Sequence, residues 1–401
     1  MKKLLSAAAV AALMSAPAMA AEIKVGSVAG ITGPIAELVT PILAARKMAA
    51  DDINAQGGLL KGDKMVLVAG DAQCNPKAGV DAGNKVVNVD RVVAVIGASC
   101  SGATNGMVQS VTIPAGIPSI SDSATAPSIS LLKDKGLVFR TAPSDAYQGK
   151  ALAEYAFNVL GMKSLAVTYA NDDYNAGIAK VFSEVFAGLG GKVTVNQVHE
   201  PKKASYRAEV ATLASAGKAD ALALFAYYGG SGITIVKNSL ETGSFDKFIG
   251  ADGMFDVSVI ETIGADILRG NMWLTQSASD PEKPSYKTFA EKFAKTGHKP
   301  QSPYAAHGYD ATFLMALAIE KAGSTDGAAI AKALLQLNDP AGEVIGVGEW
   351  AKAKAAIAAG KAINYAGASG SVDFDGNGDV PGFYGVNTVD EKGGWATKLL
   401  R

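Results

Sequence analysis

Histidine is scarce in this chain, and charge of one sign is not in excess. The three histidines, His199, His298 and His307, have no ligand-like spacing, so no zinc site and no other metal site is expected. They also leave few bases for a serine or cysteine nucleophile. His307-Gly308-Tyr309-Asp310 reads as the opening of a helix, and "GASCS" at 97–101 lacks the second glycine of a Gly-x-Ser-x-Gly elbow. Lysine and arginine total 37 against 38 acids; without Lys2 and Lys3 the balance is 35 against 38, a net charge of −3. That is no nucleic-acid footprint, and no block of like charge marks a membrane surface. Gly26, Gly30 and Gly33 are spaced GxxxGxxG, not GxGxxG, so a dinucleotide cofactor is not supported. "DFDGNGD" from Asp373 begins like a calcium loop, but Tyr384 stands where the twelfth-position Glu is required. No cofactor is expected.

Beyond the first twenty residues there is no apolar run of about 20, the length a membrane helix needs. Residues 1–20 themselves carry Lys2 and Lys3, an apolar stretch from Leu4 to Met14, and small residues before Ala20. This pattern predicts a secretory signal peptide cut near Ala20 and a chain soluble outside the cytoplasm. No cysteine lies near the cut, so no lipid anchor is expected. About 380 residues remain, enough for two domains. Cysteine occurs twice, at Cys74 and Cys100. An even count in an exported chain reads as one disulfide, closing a loop of about 25 residues and contributing roughly 3 kcal/mol. Two buried thiols are the other reading.

Strand-like and helix-like runs alternate. Glu22 to Val28, Met65 to Val68, Val92 to Ile96 and Pro118 to Ser121 read as strands separated by helices, a βαβαβα series that implies a parallel sheet covered on both faces. A second such unit follows Arg140 to Ser144, with strands at Ser164 to Ala170, Lys192 to His199, "ALALFAYYGG" ending in its glycines, and Phe248 to Gly250. From Asn271 a strand "MWLTQ" leads to helices at Ser285 to Lys295, Pro303 to Lys321 and Gly327 to Leu337. The tail is expected to form a hairpin turning at Gly376 to Asp379.

Ligands of open parallel sheets bind beyond the carboxyl ends of the strands. In the first unit those loops are "AGITGP", "GASCSGATNG" and "SDSATAP", rich in hydroxyls. Ser101 and Thr104 stand at a helix start, and Ser123 and Thr125 line the next loop. Free N–H groups at such a start attract a carboxylate or phosphate. N-capping is the better account of any one hydroxyl, but two adjacent hydroxyl-rich loops favour anion binding. In the second unit Asp252, in "GADG", could hold an ammonium or simply make a turn. Tyr174, Tyr227 and Tyr228 read equally as pocket wall or as core.

The motifs "DINAQGGLLKGDK", "DAQCNPKAGVDAGNKVV", "VVAVIGASCSGAT", "ISDSATAP" and "FRTAPSDAYQG", with weaker matches in "YANDDYNAG", "FAYYGG" and "GADG", run in order through nearly the whole chain after the leader. In these the chain resembles the periplasmic leucine/isoleucine/valine-binding proteins of ABC transporters. The resemblance implies a type I periplasmic binding fold: α/β, two doubly wound parallel-sheet lobes joined by three hinge crossings, near Arg140 to Asp145, Thr275 to Asp280 and Asp373 to Val380. The lobes are expected at 21–141 plus 276–373 and at 142–275 plus 374–401. It also implies the Cys74–Cys100 disulfide, and Ser101, Thr125 and the backbone N–H of Ser123 as binders of an α-carboxylate. Asp252 is implied as partner of an α-ammonium, and Tyr174 as a cleft aromatic, with Tyr228 expected beside it. Two positions depart from the family pattern. Leu38 stands where an aromatic is frequent, and Ser231-Gly232 replaces another cleft aromatic. Both line the expected side-chain pocket. The expectation is a monomeric, non-enzymatic periplasmic protein that closes on an aliphatic amino acid and docks on a membrane ABC permease. Aromatic or other organic acids are the alternative ligands, and a secreted hydrolase the alternative class.

Overall fold

The computed structural model describes residues 21–400; the expected leader and its cut lie outside the described residues. The run EIKVGSVA forms β1 (Glu22–Ala29) and KMVLVAGD forms β2 (Lys64–Asp71), parallel neighbours from Glu22 opposite Lys64 to Ala29 opposite Asp71. On the other edge of β1 come β3 (Ala94–Ile96), β4 (Ser119–Ser121) and β5 (Val138–Arg140), giving an all-parallel order β2-β1-β3-β4-β5. A second sheet takes β6 (Ser164–Ala170), β7 (Lys192–His199), β8 (Ala221–Phe225), β9 (Phe248–Ala251) and β10 (Met272–Ala278). A short parallel pair, β11 (Glu343–Ile345) and β12 (Ile363–Tyr365), stands apart. Then β13 (Phe383–Val389) and β14 (Trp395–Leu400) complete the second sheet in the order β14-β13-β10-β9-β8-β6-β7. Only β13 runs antiparallel to its neighbours. Helices cover both faces of each sheet, as parallel strands buried on both sides require.

Local chemistry sets the helix starts. Asn75, Ser144, Asp172 and Asp256 each accept a backbone N–H from the first turn of the helix that follows. The helix Ala305–Ala322 is buried on every side from Ala305 to Ile319. A helix buried all round belongs inside a core, and this one shares the core of the first sheet with Val25, Ile96 and Ile120. The chain thus passes between sheets through 141–144, 279–283 and 366–382. Residues 276–278, assigned to the first lobe on sequence, continue β10 of the second sheet.

The tail differs from expectation. Gly376–Asp379 does turn, closed on the Asp375 side chain, but joins no strands. The hairpin is β13–β14, turning at Asp390 to Gly394. Pro381 has no N–H for a ladder, and Arg140 holds the segment at the end of β5 through the Asp379 side chain (2.6 Å) and the Gly378 carbonyl (3.0 Å), so the chain crosses here instead of pairing as a hairpin. The helix Trp350–Ala358 and strand β14 were not foreseen.

One buried cation organises the first sheet. Arg46, on the helix Ala36–Ala55, donates to Asp122 (2.6 Å), Ser27 Oγ (3.0 Å), the carbonyls of Val28 (3.1 Å) and Ile96 (3.3 Å), and Ser99 Oγ (3.3 Å). Both ends of the ion pair are fully buried. Removing only one partner leaves an uncompensated charge, a loss of about 3–5 kcal/mol. We expect Arg46→Met and Asp122→Ala each to lose that much in urea unfolding, with the paired Arg46→Met/Asp122→Leu variant recovering part of it.

Candidate functional site

The loops after β1, β3 and β4 face those after β6, β8 and β9 around a narrow cavity. Ile35, Leu38, Ser99, Ser101 and Ser123 line it from the first sheet. Tyr174, Tyr227, Asp252 and Gly253 line it from the second, and Tyr304 completes it.

On the first side, Cys74 and Cys100 are disulfide-bonded with Cα atoms 5.2 Å apart, so neither thiol is a nucleophile. The bridge pins the loop that carries Ser101. Gly97, at φ +127°, is held where any Cβ would strike the Val28 carbonyl, so the chain can leave β3 this way only with glycine there. Ser101 Oγ accepts the N–H groups of Thr125 (3.2 Å) and Ala126 (3.1 Å). A hydroxyl has two acceptor positions and one hydrogen. With both acceptors used, the Ser101 hydrogen is left to donate into the cavity. Ser123 sits at the wall, its Oγ within 3.2 Å of the Ser99 carbonyl and of Asp122. Thr125 is displaced from its expected role. It does not line the cavity, its N–H serves Ser101, and its Oγ bonds Asp145 at 2.9 Å.

On the second side, Asp252 Oδ1 accepts from Gln148 (2.6 Å) and Tyr174 (3.1 Å), and Oδ2 accepts from Tyr304 (2.9 Å). Burial raises the Asp252 pKa, with these three side-chain donors and its own backbone N–H acting against the shift. Asp145 is raised well above its ordinary value, by burial first and by Asp252 next. Burial holds Tyr174, Tyr227 and Tyr304 well above the usual phenol range, so all three are neutral donors. Tyr174 and Tyr227 stack with centroids 5.4 Å apart.

Tyr228 and Ser231 are corrected. Tyr227, not Tyr228, forms the wall; Tyr228 is packed in the second core, its hydroxyl against the backbone N–H groups of Glu37 and Leu38. Ser231 bonds His199 Nε2 at 2.7 Å and lines a neighbouring cavity with Gly33, Pro34 and Tyr227. Burial pushes His199 down to about 4, a base poorly matched to activating a hydroxyl near neutral pH. Neither His199 nor His307 bonds Ser101. Among the described residues no cluster of three or more His, Cys, Asp or Glu could hold a metal.

Tyr304 was missed on sequence. It follows Pro303 at the head of the helix Ala305–Ala322 with φ 59° and ψ 2°, an unusual conformation for a bulky residue. Such strain concentrates at ligand clamps, and here it aims the phenol of the first unit at the acid of the second. Asn105 and Asp173 make a second bond between the units at 2.8 Å, and a Cβ on Gly229 would strike the Pro34 carbonyl at 2.5 Å. The two units are closed on one another.

Asp252 links stability to pH. Its folded pKa is raised, so between the ordinary 3.8 and the folded value only the folded protein holds the proton. Stability from this group is therefore full below the unfolded pKa and lost as pH rises through the folded one. Asp252→Asn removes that dependence. We expect urea unfolding of the ligand-free proteins to show the variant gaining on wild type as pH rises from about 4 toward neutrality.

Residues 22–377 match the model of the periplasmic binding protein family. A leucine-, isoleucine-, valine-, threonine- and alanine-binding protein of Pseudomonas aeruginosa is 30% identical over 338 residues, 83% of this chain and 87% of its own. A Leu/Ile/Val/Thr-binding protein of Salmonella typhimurium is 31% identical over 335 residues, 83% of this chain and 88% of its own. Among solved structures, a leucine binding protein from Thermotoga maritima superposes with a TM-score of 0.79 at 23% identity, over 94% of this chain and 97% of that one. With two doubly wound sheets facing a shared cavity and a family match spanning both, the chain belongs to the periplasmic binding protein family.

Proposed function

We propose that the protein captures an aliphatic α-amino acid between its two lobes and passes it to a membrane ABC permease, without chemical change to the ligand. The observation that carries this reading is the pairing of opposite preferences across one cavity. The free Ser101 hydrogen on one wall suits a carboxylate, and the Asp252 carboxylate on the other, met only by neutral donors, suits an ammonium. An ammonium beside Asp252 favours its charged form and so opposes the effect of burial. Leu38 and Ile35 offer an aliphatic side chain an apolar surface. The relatives named for leucine, isoleucine, valine and threonine support the same ligand class. Ser101, Ser123, Tyr174, Tyr227, Asp252 and Tyr304 are the contact groups in this reading. Thr125 acts through Ser101, and Asp145 through Thr125. In the exported chain the site works in the periplasm.

Calorimetric titration with leucine tests the reading. A charge-assisted hydrogen bond is worth about 1.5–3 kcal/mol, so Ser101→Ala and Asp252→Asn should each weaken leucine by roughly 10- to 100-fold. Benzoate carries the carboxylate without the ammonium. If it binds wild type more tightly than leucine, and tighter still in Asp252→Asn, the ligand is an aromatic acid and the amino-acid assignment falls.

A further inference from the structure

Asp145 does not line the ligand cavity, yet hydrogen bonds lead from its helix to both walls. It opens the helix Asp145–Glu154 directly after the 141–144 crossing. Its N–H donates to the Thr125 carbonyl (2.8 Å), and Thr125 Oγ donates back to its Oδ2 (2.9 Å). The Thr125 N–H donates in turn to Ser101 Oγ, which leaves the Ser101 hydrogen for the cavity. One turn along the same helix, Gln148 Nε2 donates to Asp252 Oδ1 (2.6 Å) and to the Thr275 carbonyl (3.0 Å). Two acceptors at Nε2 fix the orientation of the amide, so Gln148 Oε1 faces away from both.

Two oxygens in this assembly lack partners. Asp145 Oδ1 and Gln148 Oε1 are acceptors without a donor, in side chains 0% exposed. The Thr275 hydroxyl bonds neither. Solvent does not reach them, so the missing bond has to be made inside the protein. Residues three apart on a helix are neighbours, and helical side chains lean toward the preceding turn, which here carries Asp145. One proton between the two oxygens satisfies both. An ionised Asp145 supplies none and leaves each buried acceptor unpaired.

The surroundings favour that proton. Asp145 is faced by Asp252 from the loop after β9, by Arg140 from the end of β5, and by the phenols of Tyr174, Tyr227, Tyr304 and Tyr384. Burial first and the Asp252 charge next raise Asp145 well above the ordinary carboxylate value, against Thr125 and Arg140. Arg140 is itself committed to Asp379, Ser130 and the Ala126 carbonyl. We propose that Asp145 is a positioning residue for both ends of the ligand, holding a proton on Oδ1 that it donates to Gln148 Oε1 while Oδ2 accepts from Thr125. The neutral carboxyl steadies Gln148 against Asp252 at the ammonium end and Thr125 against Ser101 at the carboxylate end. It does so without placing a second negative charge behind the site. The proton assignment stands on the protein alone, and the positioning role rests on the amino-acid reading.

Infrared difference spectra of the ligand-free protein near neutral pH read the proton, and leucine calorimetry reads its effect. We expect wild type to show the C=O stretch of a protonated carboxyl that is lost in Asp145→Asn, kept in Asp252→Asn, and shifted or lost in Gln148→Met. Asp145→Leu, which neither donates nor accepts, should bind leucine at least about tenfold more weakly. Asparagine offers an N–H to Gln148 and a carbonyl to Thr125, so Asp145→Asn should restore binding to within about threefold of wild type. Where Asp145→Leu does not fold, Gln148→Met carries the loss of affinity. No carboxyl band lost in Asp145→Asn, or a band lost in Asp252→Asn, means that Asp145 is ionised and overturns the proposal. Failure of Asp145→Asn to restore binding means that Asp145 acts by its charge and overturns it equally. Leucine affinity unchanged in Asp145→Leu or in Gln148→Met overturns the positioning role. A wild type with the expected infrared pattern that does not bind leucine overturns the amino-acid reading and leaves the proton assignment standing.

Discussion

The binding geometry hangs on the Arg46 guanidinium. Its donors reach the ends of β1, β3 and β4 at once, through Ser27 and Val28, Ile96 and Ser99, and Asp122. Those are the strands whose exit loops carry Ser99, Ser101 and Ser123 to the cavity. A rigid planar fork with five donors can hold three strand ends in one relation, which a point-charged ammonium cannot. The fully buried Asp122 returns the charge and also meets Ser123. The first wall of the cavity is thus a rigid surface fixed from behind, with the disulfide at Cys100 pinning the loop from the side. Arg140 plays a related part at the lobe junction. It ties the end of β5 to Asp379 in the last crossing segment and to the carbonyl of Ala126, next to Thr125.

The second wall is set by the opposite economy of charge. Asp145 and Asp252 are both buried, raise one another's cost of ionising, and are met mainly by neutral donors: Thr125, Gln148, Tyr174 and Tyr304. Arg140 acts on Asp145 only as the weakest of its influences. Among the described residues, no cationic side chain forms an ion pair with either acid. In the proposed reading, an ammonium at Asp252 supplies the cation, and closure becomes more favourable with ligand than without. Recognition and closure then draw on the same atoms, since Tyr304 bonds Asp252 across the lobes.

How much of this was legible in the sequence follows from how local each signal is. The alternation of strand and helix, the helix caps and the loops at strand ends depend on near neighbours, and the two doubly wound sheets follow from them. Ser101, Ser123, Tyr174, Leu38 and Asp252 do line one cavity, because each sits directly on a strand-end loop or the helix that follows it. Orientation was not legible. Thr125 is on the right loop, but whether its hydroxyl points to the cavity or to Asp145 depends on a residue twenty positions away. Tyr227 and Tyr228 follow a strand buried on both faces, so alternation could not tell the wall from the core. Ser231 was read as pocket and is claimed instead by His199 from the end of β7. Gly376–Asp379 had the composition of a hairpin turn, but Arg140, far along the chain, holds Asp379 in a crossing segment.

Tyr304 shows most clearly why the rest stayed hidden. Its neighbours in sequence are a proline and an apolar helix, and by that context it reads as the first residue of a core helix. Its function comes from three facts that no local window contains: a left-handed backbone, a helix inserted into the first lobe, and an acid on the second lobe within hydrogen-bond reach. A bulky residue held at φ 59° gives up conformational freedom and backbone energy. Such a cost persists only where the surroundings over-determine it, and here they do so on both sides. Asp252 takes the hydroxyl and His307 takes the ring edge. Displacing the phenol would therefore at once remove a donor from a buried acid and loosen the contact between the lobes. For a clamp that must hold its ligand and then release it, a strained residue at that junction is the element best placed to make the closed state reversible.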